Sequence, residues 1–228
     1  MDLLVSIYYS LSVNIRFNNS IKVSIMSNLI YAKQIGKCIV DSSNQFGIRS
    51  SKRTNPIHEL ISKIIIEENP GLTCKIEDKL NISTGSFKVD ISASRDGIVK
   101  LLVSVKASLN NIKQNLTNNE NVKGGELLKM VNAYPKAKIV FLDFIPSECR
   151  YYLENGETKN IEKFSPEKIF KENLELMEVL SPRGVPLCDG IFTIITNNKY
   201  PDTRGNLEFI GITDCSDMDK FIKLVKEL

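Results

Sequence analysis

Asp90, Ser104 and Lys106 are the side chains of this sequence whose types and spacing suit work on a charged substrate. Asp96-Gly97 separates two runs rich in β-branched residues. Both residues tolerate the positive φ of a tight turn, so the pair predicts a β-hairpin across residues 88–106. Side chains alternate along a strand, which puts Leu102, Ser104 and Lys106 on one face and Leu101, Val103 and Val105 on the other. A serine and a lysine on one face of an otherwise apolar strand are polar groups at an expensive position. Asp90, on the first strand of the hairpin, comes beside them. Three lysines and no acid stand between Gly97 and Asn119 (Lys100, Lys106, Lys113), a basic stretch centred on this cluster. That stretch permits a polyanionic partner, which the net charge of +3 alone does not demand. The bland alternative has Lys106 snorkelling at a strand end and Asp90 capping a turn.

The other chemistry-bearing residues exclude more than they offer. Five cysteines, odd in number and scattered without a CxxC pair, argue against a zinc site and a disulfide scaffold and for a reducing, cytoplasmic setting. A single histidine, His58, leaves Ser-His-Asp or Cys-His catalysis without a base unless it serves itself. Its place in the first turn of a helix predicts a surface position.

The elements that must hold the cluster can be read in order. Residues 1–25 alternate apolar and polar side chains, either as a hairpin turning at Asn18-Asn19 or as an extension upstream of a natural start at Met26. They lack the basic start and unbroken apolar core of a signal peptide, and no run is long enough to span a bilayer, so no membrane is expected. Residues 27–37 predict a short helix ended by Gly36, followed by a polar loop. Asn55 as N-cap and Pro56 at the first helical position open a second helix with Ile57, Leu60, Ile61, Ile64 and Ile65 on one face. That helix closes at Asn69-Pro70-Gly71. Residues 72–80 predict a strand. After Lys106 a weak helical pattern reaches Leu116 and breaks at Asn118–Asn121. Gly124-Gly125 then precedes a better helix, Glu126 to Tyr134, with Leu127, Leu128, Val131 and Tyr134 inward. Ala137 to Ile145 reads as a strand covered on both faces. An Asn155-Gly156 turn, a helix from Pro166, a connector over 181–186, strands over Ile191–Thr196 and Leu207–Thr213, and a C-terminal amphipathic helix complete the chain. The order predicts one α/β domain over 26–228, a central mixed sheet flanked by helices.

A helix bearing a glutamate, a hairpin with Asp90 on one strand and an x-Lys motif on the next, then a helix and a buried strand, resembles the PD-(D/E)xK nuclease superfamily over roughly Asn55 to Ile145. Position 104 is Ser where the usual motif has an acid, and Val89 stands where it has Pro. Ser104-Val105-Lys106 is similar to the Ser-x-Lys variant found in restriction endonucleases that cut sites with a CCGG core, in which the missing glutamate comes about a dozen residues later; Glu120 stands there. The arginine-rich segment of that group is here Asn110-Asn111-Ile112-Lys113.

The resemblance implies a single restriction-endonuclease-like domain and a Mg²⁺-dependent type II enzyme hydrolysing phosphodiesters in double-stranded DNA. Asp90 and Glu120 would be the metal-binding carboxylates. Mg²⁺ needs only one or two of these beside water and phosphate oxygens. Lys106 would orient the attacking hydroxide and offset phosphate charge, with Ser104 as a hydrogen-bonding partner. Glu126 is the main substitute for Glu120, and Glu59 a possible accessory acid on the first helix. Ser108, Asn110 and Lys113 are the expected DNA contacts. Arg183, Lys199 and Arg204 lie in turn-rich segments where bases could be read. A homodimer matched to a two-fold symmetric site and a cognate DNA methyltransferase are the implied partners. A structure-specific or repair nuclease, an inactive nuclease-like DNA-binding domain and a plain interaction protein are the alternatives.

Overall fold

The structure, a computed structural model, describes residues 28–48, 50–82, 85–109, 112–179 and 187–228, with the backbone alone at 112–120 and 179. The expectations for residues 1–25, Asn110 and the 181–186 connector with Arg183 fall outside these residues.

Among the described residues six strands form one mixed sheet in the order β1-β2-β3-β4-β7-β8. Strands β1 (Thr73–Ile82), β2 (Gly85–Arg95) and β3 (Ile98–Ala107) make an antiparallel meander. Helix α3 (Ile112–Ala133) then crosses over to β4 (Lys138–Pro146), which lies parallel to β3; β7 (Gly190–Lys199) is parallel to β4, and β8 (Glu208–Asp214) closes the sheet antiparallel to β7. A separate hairpin, β5 (Glu148–Tyr152) and β6 (Thr158–Lys163), follows β4. The central mixed sheet flanked by helices is the architecture the sequence predicts.

Two apolar layers sandwich the sheet. On one side α1 (28–46), α2 (Thr54–Glu68) and α5 (Ser216–Lys226) bury Ile35, Ile61 and Phe221 against Leu101, Val103 and Val105. On the other, Leu127 and Met130 of α3 and Met177 of α4 (Pro166–Val179) cover Leu102, Ile139 and Phe141. The alternation read from β3 thus divides the core correctly. β4 is buried from Ile139 to Pro146, as its unbroken apolar run requires. Asp96 at φ 52° and Gly97 at φ 74° make the two-residue turn between Arg95 and Ile98. No helix of the described residues is long and apolar enough to cross a membrane.

Four helical expectations are corrected. Gly36 does not end α1, which runs on through Ser42 and Ser43 to residue 46. The glycine is instead where α1 approaches β8: a Cβ there would stand 2.6 Å from Cε2 of Phe209. Helix α2 begins at Thr54, led in by a 3₁₀ turn at Ser51–Arg53, so Asn55 is not its cap. Asn118–Asn121 and Gly124-Gly125 do not break α3, which is one helix from Ile112 to Ala133. Lys123, Leu127 and Met130 recur at helical spacing on its buried side, and that packing outweighs a propensity cost of about 1 kcal/mol per glycine. On the same helix Leu128 is 63% exposed rather than inward, and Tyr134 just beyond it is exposed too.

Candidate functional site

Strands β2 and β3 are paired from Arg95–Ile98 as far as Ile91–Val103 and then part. Beyond that point β2 stays with β1, while β3 stays with β4 out to Ala107–Phe144. A wedge opens between the two halves of the sheet, and Asp90 is the first β2 residue inside it. Its Oδ2 accepts the backbone N–H of Val105 at 2.6 Å, the bond a β2 carbonyl would otherwise provide. The hydroxyl of Ser104, itself buried, lies 3.4 Å from the same oxygen.

Helix α3 closes the wedge from one face. Ser104 Oγ donates to Glu126 Oε2 at 2.8 Å, and Lys106 Nζ to Glu126 Oε1 at 2.8 Å. Three residues earlier on the same helix face, Lys123 makes a buried ion pair with Asp143, the β4 residue in register with Lys106. Its ammonium also lies 5.9 Å from the centroid of the Phe141 ring. This pair ties α3 to β4 and thereby sets where Glu126 stands.

Helix α2 and strand β1 close the other face. His58 is buried, not at the surface as its position in the first helical turn suggests, because it shares the inward stripe with Ile61 and Ile65. Its Nδ1 lies 3.2 Å from Glu77 Oε1 and its Nε2 3.9 Å from Asp90 Oδ1. Glu77 sits between Ile76 and Asp78 on β1, facing the interval of β2 that holds Asp90, with its backbone at a left-handed φ of 49°. One ligand atom from each of His58, Glu77 and Asp90 lies within 4.8 Å of the others. Burial raises the Asp90 carboxyl above its ordinary pKa. Val105 N–H, His58 and Lys106 oppose that rise, and Glu126 adds to it.

The structure therefore brings together Asp90, Ser104, Lys106 and Glu126, and adds His58 and Glu77. Glu120 lies in α3 six residues before Glu126, about 9 Å along the axis, and its side chain falls outside the described residues, as does that of Lys113. Glu126 is the acid that meets Ser104 and Lys106. Glu59 is exposed on α2 and close enough to Cys38 to raise that thiol's pKa, burial being the larger cause, so it belongs to the α1 side of its helix. Ser108 is tied to the interior strand β4 by its backbone N–H, which donates to Phe144 O at 3.1 Å. Lys199 pairs at the surface with Glu208, and Arg204 donates to Leu153 O at 3.0 Å in the β5–β6 hairpin. His58 was legible as the residue three before Ile61 and seven before Ile65. Glu77 carries no comparable signal, since it is one of four charged residues (Lys75, Glu77, Asp78, Lys79) clustered in its strand.

No protein-family model matches this chain, and neither does any curated protein. Among solved structures it is similar to an XisH family protein from Nostoc punctiforme, at 13% identity and a TM-score of 0.35 over 61% of this chain and 89% of that one. It is also similar to a chain of the assembly of Thermococcus gammatolerans McrB AAA+ hexamers with bound McrC, at 12% identity and a TM-score of 0.32 over 76% of this chain and 33% of that one.

Proposed function

We propose that this chain is a divalent-metal-dependent endonuclease of the PD-(D/E)xK kind, cutting double-stranded DNA as a type II restriction enzyme does. The observation that carries the reading is the convergence of Asp90, Ser104, Lys106 and Glu126 where β2 and β3 part. Two carboxylates that both border Ser104 form a donor set suited to a hard cation. Asp90 and Glu126 would hold Mg²⁺, with Glu126 in the role that the family resemblance implies for Glu120. A bound divalent cation supplies charge neutralisation at the scissile phosphate and eases deprotonation of the attacking water.

The chain's own residues do the rest. Lys106 presents an ammonium at the mouth of the wedge, where it offsets phosphate charge and orients the nucleophile. Glu126 fixes that ammonium until substrate arrives, and Ser104 fixes Glu126 by its hydrogen bond. Asp90 is positioned by a backbone amide rather than by a mobile side chain, so its carboxylate is preorganised.

Incubation of the purified chain with plasmid and phage DNA, with Mg²⁺ and with EDTA, beside Lys106→Ala, tests this. Discrete Mg²⁺-dependent bands lost in the variant support it. Preferential cutting of branched DNA selects a structure-specific or repair nuclease instead. A homodimer would show as twice the chain mass in light scattering, and a neighbouring methyltransferase gene would support a restriction system. One observation favours a second reading: both oxygens of Glu126 are already occupied, and position 104 offers no carboxylate. An inactive DNA-binding domain accounts for this, and predicts DNA binding indifferent to Mg²⁺ with no nicking.

A further inference from the structure

We infer that His58, Glu77 and Asp90 form a second cation site, distinct from the Glu126 side of the wedge and selective for a first-row transition ion over Mg²⁺. It shares Asp90 with the nuclease reading but stands without it.

His58 is the observation that points to a ligand. Its side chain is 3% exposed, and its Nδ1 is buried without a hydrogen-bond partner even though Glu77 Oε1 is 3.2 Å away. The contact has the distance of a hydrogen bond without the direction, and the 3.9 Å to Asp90 Oδ1 is too long for one. A buried imidazole is thus set between two carboxylates and bonded to neither. In its neutral form the imidazole offers a nitrogen lone pair beside carboxylate oxygens, a set that one cation satisfies, and leaving a buried polar atom unpaired costs about 1–3 kcal/mol. The surrounding chain maintains the arrangement at a further cost. Glu77 is not glycine yet holds φ at 49°, and Asp90 spends its other oxygen on Val105, leaving Oδ1 turned toward His58.

The donor set states the chemistry. Mg²⁺ favours oxygen alone and keeps its waters, whereas imidazole suits zinc, copper, iron or nickel, and manganese, the weakest-binding of the first-row ions, takes carboxylates readily. One nitrogen and two carboxylates therefore favour the transition ions. The site lies on the Oδ1 side of Asp90, whereas Oδ2 faces Val105 and Ser104, the partner of Glu126.

Mn²⁺ is the probe, read by electron paramagnetic resonance on the full-length chain without DNA. The expected result is bound Mn²⁺ with pulsed-resonance coupling to an imidazole nitrogen. Glu77→Gln should weaken binding by roughly tenfold or more. His58→Ala should lose the nitrogen coupling, and Glu126→Gln should keep it. Circular dichroism confirms that each variant folds; Glu77, at the sheet edge and 37% exposed, is the variant whose folding is least at risk. No bound Mn²⁺, Mn²⁺ without nitrogen coupling, or an affinity unchanged in Glu77→Gln would overturn the site. Nitrogen-coupled Mn²⁺ on a chain that leaves DNA intact would uphold the site and defeat the nuclease reading. Mg²⁺-dependent cutting with Mn²⁺ affinity indifferent to Glu77 would do the reverse.

Discussion

Removing Asp143 should damage this protein more than removing any surface acid. Lys123 and Asp143 are each about 5% exposed or less, and each is the other's charged partner. Truncating one leaves a buried charge uncompensated, which costs about 3–5 kcal/mol. Lys37 and Asp41 are also in contact, at 2.7 Å, but their side chains are 65% and 59% exposed. Breaking that pair should cost less than about 1 kcal/mol. In urea, with a slope of about 2–3 kcal/mol/M, Asp143→Ala should lower the midpoint by roughly 1–2.5 M, and Asp41→Ala by less than about 0.5 M. Replacing both buried partners by Lys123→Met and Asp143→Leu removes the stranded charge, and should recover most of the loss. An Asp143→Ala midpoint within about 0.5 M of wild type would refute the reasoning, because it would mean that water reaches Lys123 and that burial does not set the pair's worth. On the proposed nuclease reading, the same single variant should impair DNA cleavage beyond its effect on folding, since α3 carries Glu126 three residues from Lys123.

Other consequences can be measured separately. Lys106→Ala should reduce cleavage by about 10²-fold or more while DNA binding in a gel-shift assay is kept. Glu126→Gln should abolish cleavage and Glu120→Gln should not; the opposite ranking would return the displaced-acid role to Glu120. Because burial raises the Asp90 carboxyl, the folded chain holds that proton more tightly than the unfolded chain does. The stability this proton contributes is full below the ordinary value of 3.8 and is lost as pH rises through the folded pKa. Asp90→Asn should therefore melt higher than wild type at neutral pH, with the gap closing in acid, while wild-type cleavage rises with pH through the same range. Gly36→Ala should lower thermal stability, because the clash with Phe209 costs about 1–3 kcal/mol against a helix-propensity gain of about 1 kcal/mol.

How far the sequence could be read depended on whether a residue's role was local. The Asp96-Gly97 turn, the alternation along β3 and the apolar run of β4 follow from neighbouring residues, and all appear where expected. Glycines and asparagines mislead where their role is set across the fold. Gly36 is small for the sake of Phe209, 173 positions later, and Gly124-Gly125 is carried through α3 by the contacts of Lys123 and Leu127. The candidate site divides the same way. Asp90, Ser104 and Lys106 lie on one hairpin and could be seen together. Glu126 required the length of α3, and Glu77 required the β1–β2 register, neither of which is written in local pattern. His58 shows a signal that was present but outranked: its inward spacing was legible, yet its place in the first turn suggested solvent.

The bond from Val105 to Asp90 gives the wedge a built-in gauge. One residue pair back, Ile91 and Val103 are still joined strand to strand, so an amide there exchanges with solvent only when the sheet opens. The Val105 amide is guarded by a carboxylate instead. Its exchange rate and its chemical shift should follow whatever Asp90 is holding, a proton or an ion, while the sheet beside it stays shut. Two amides on one strand would then keep separate time, one for the fold and one for the site.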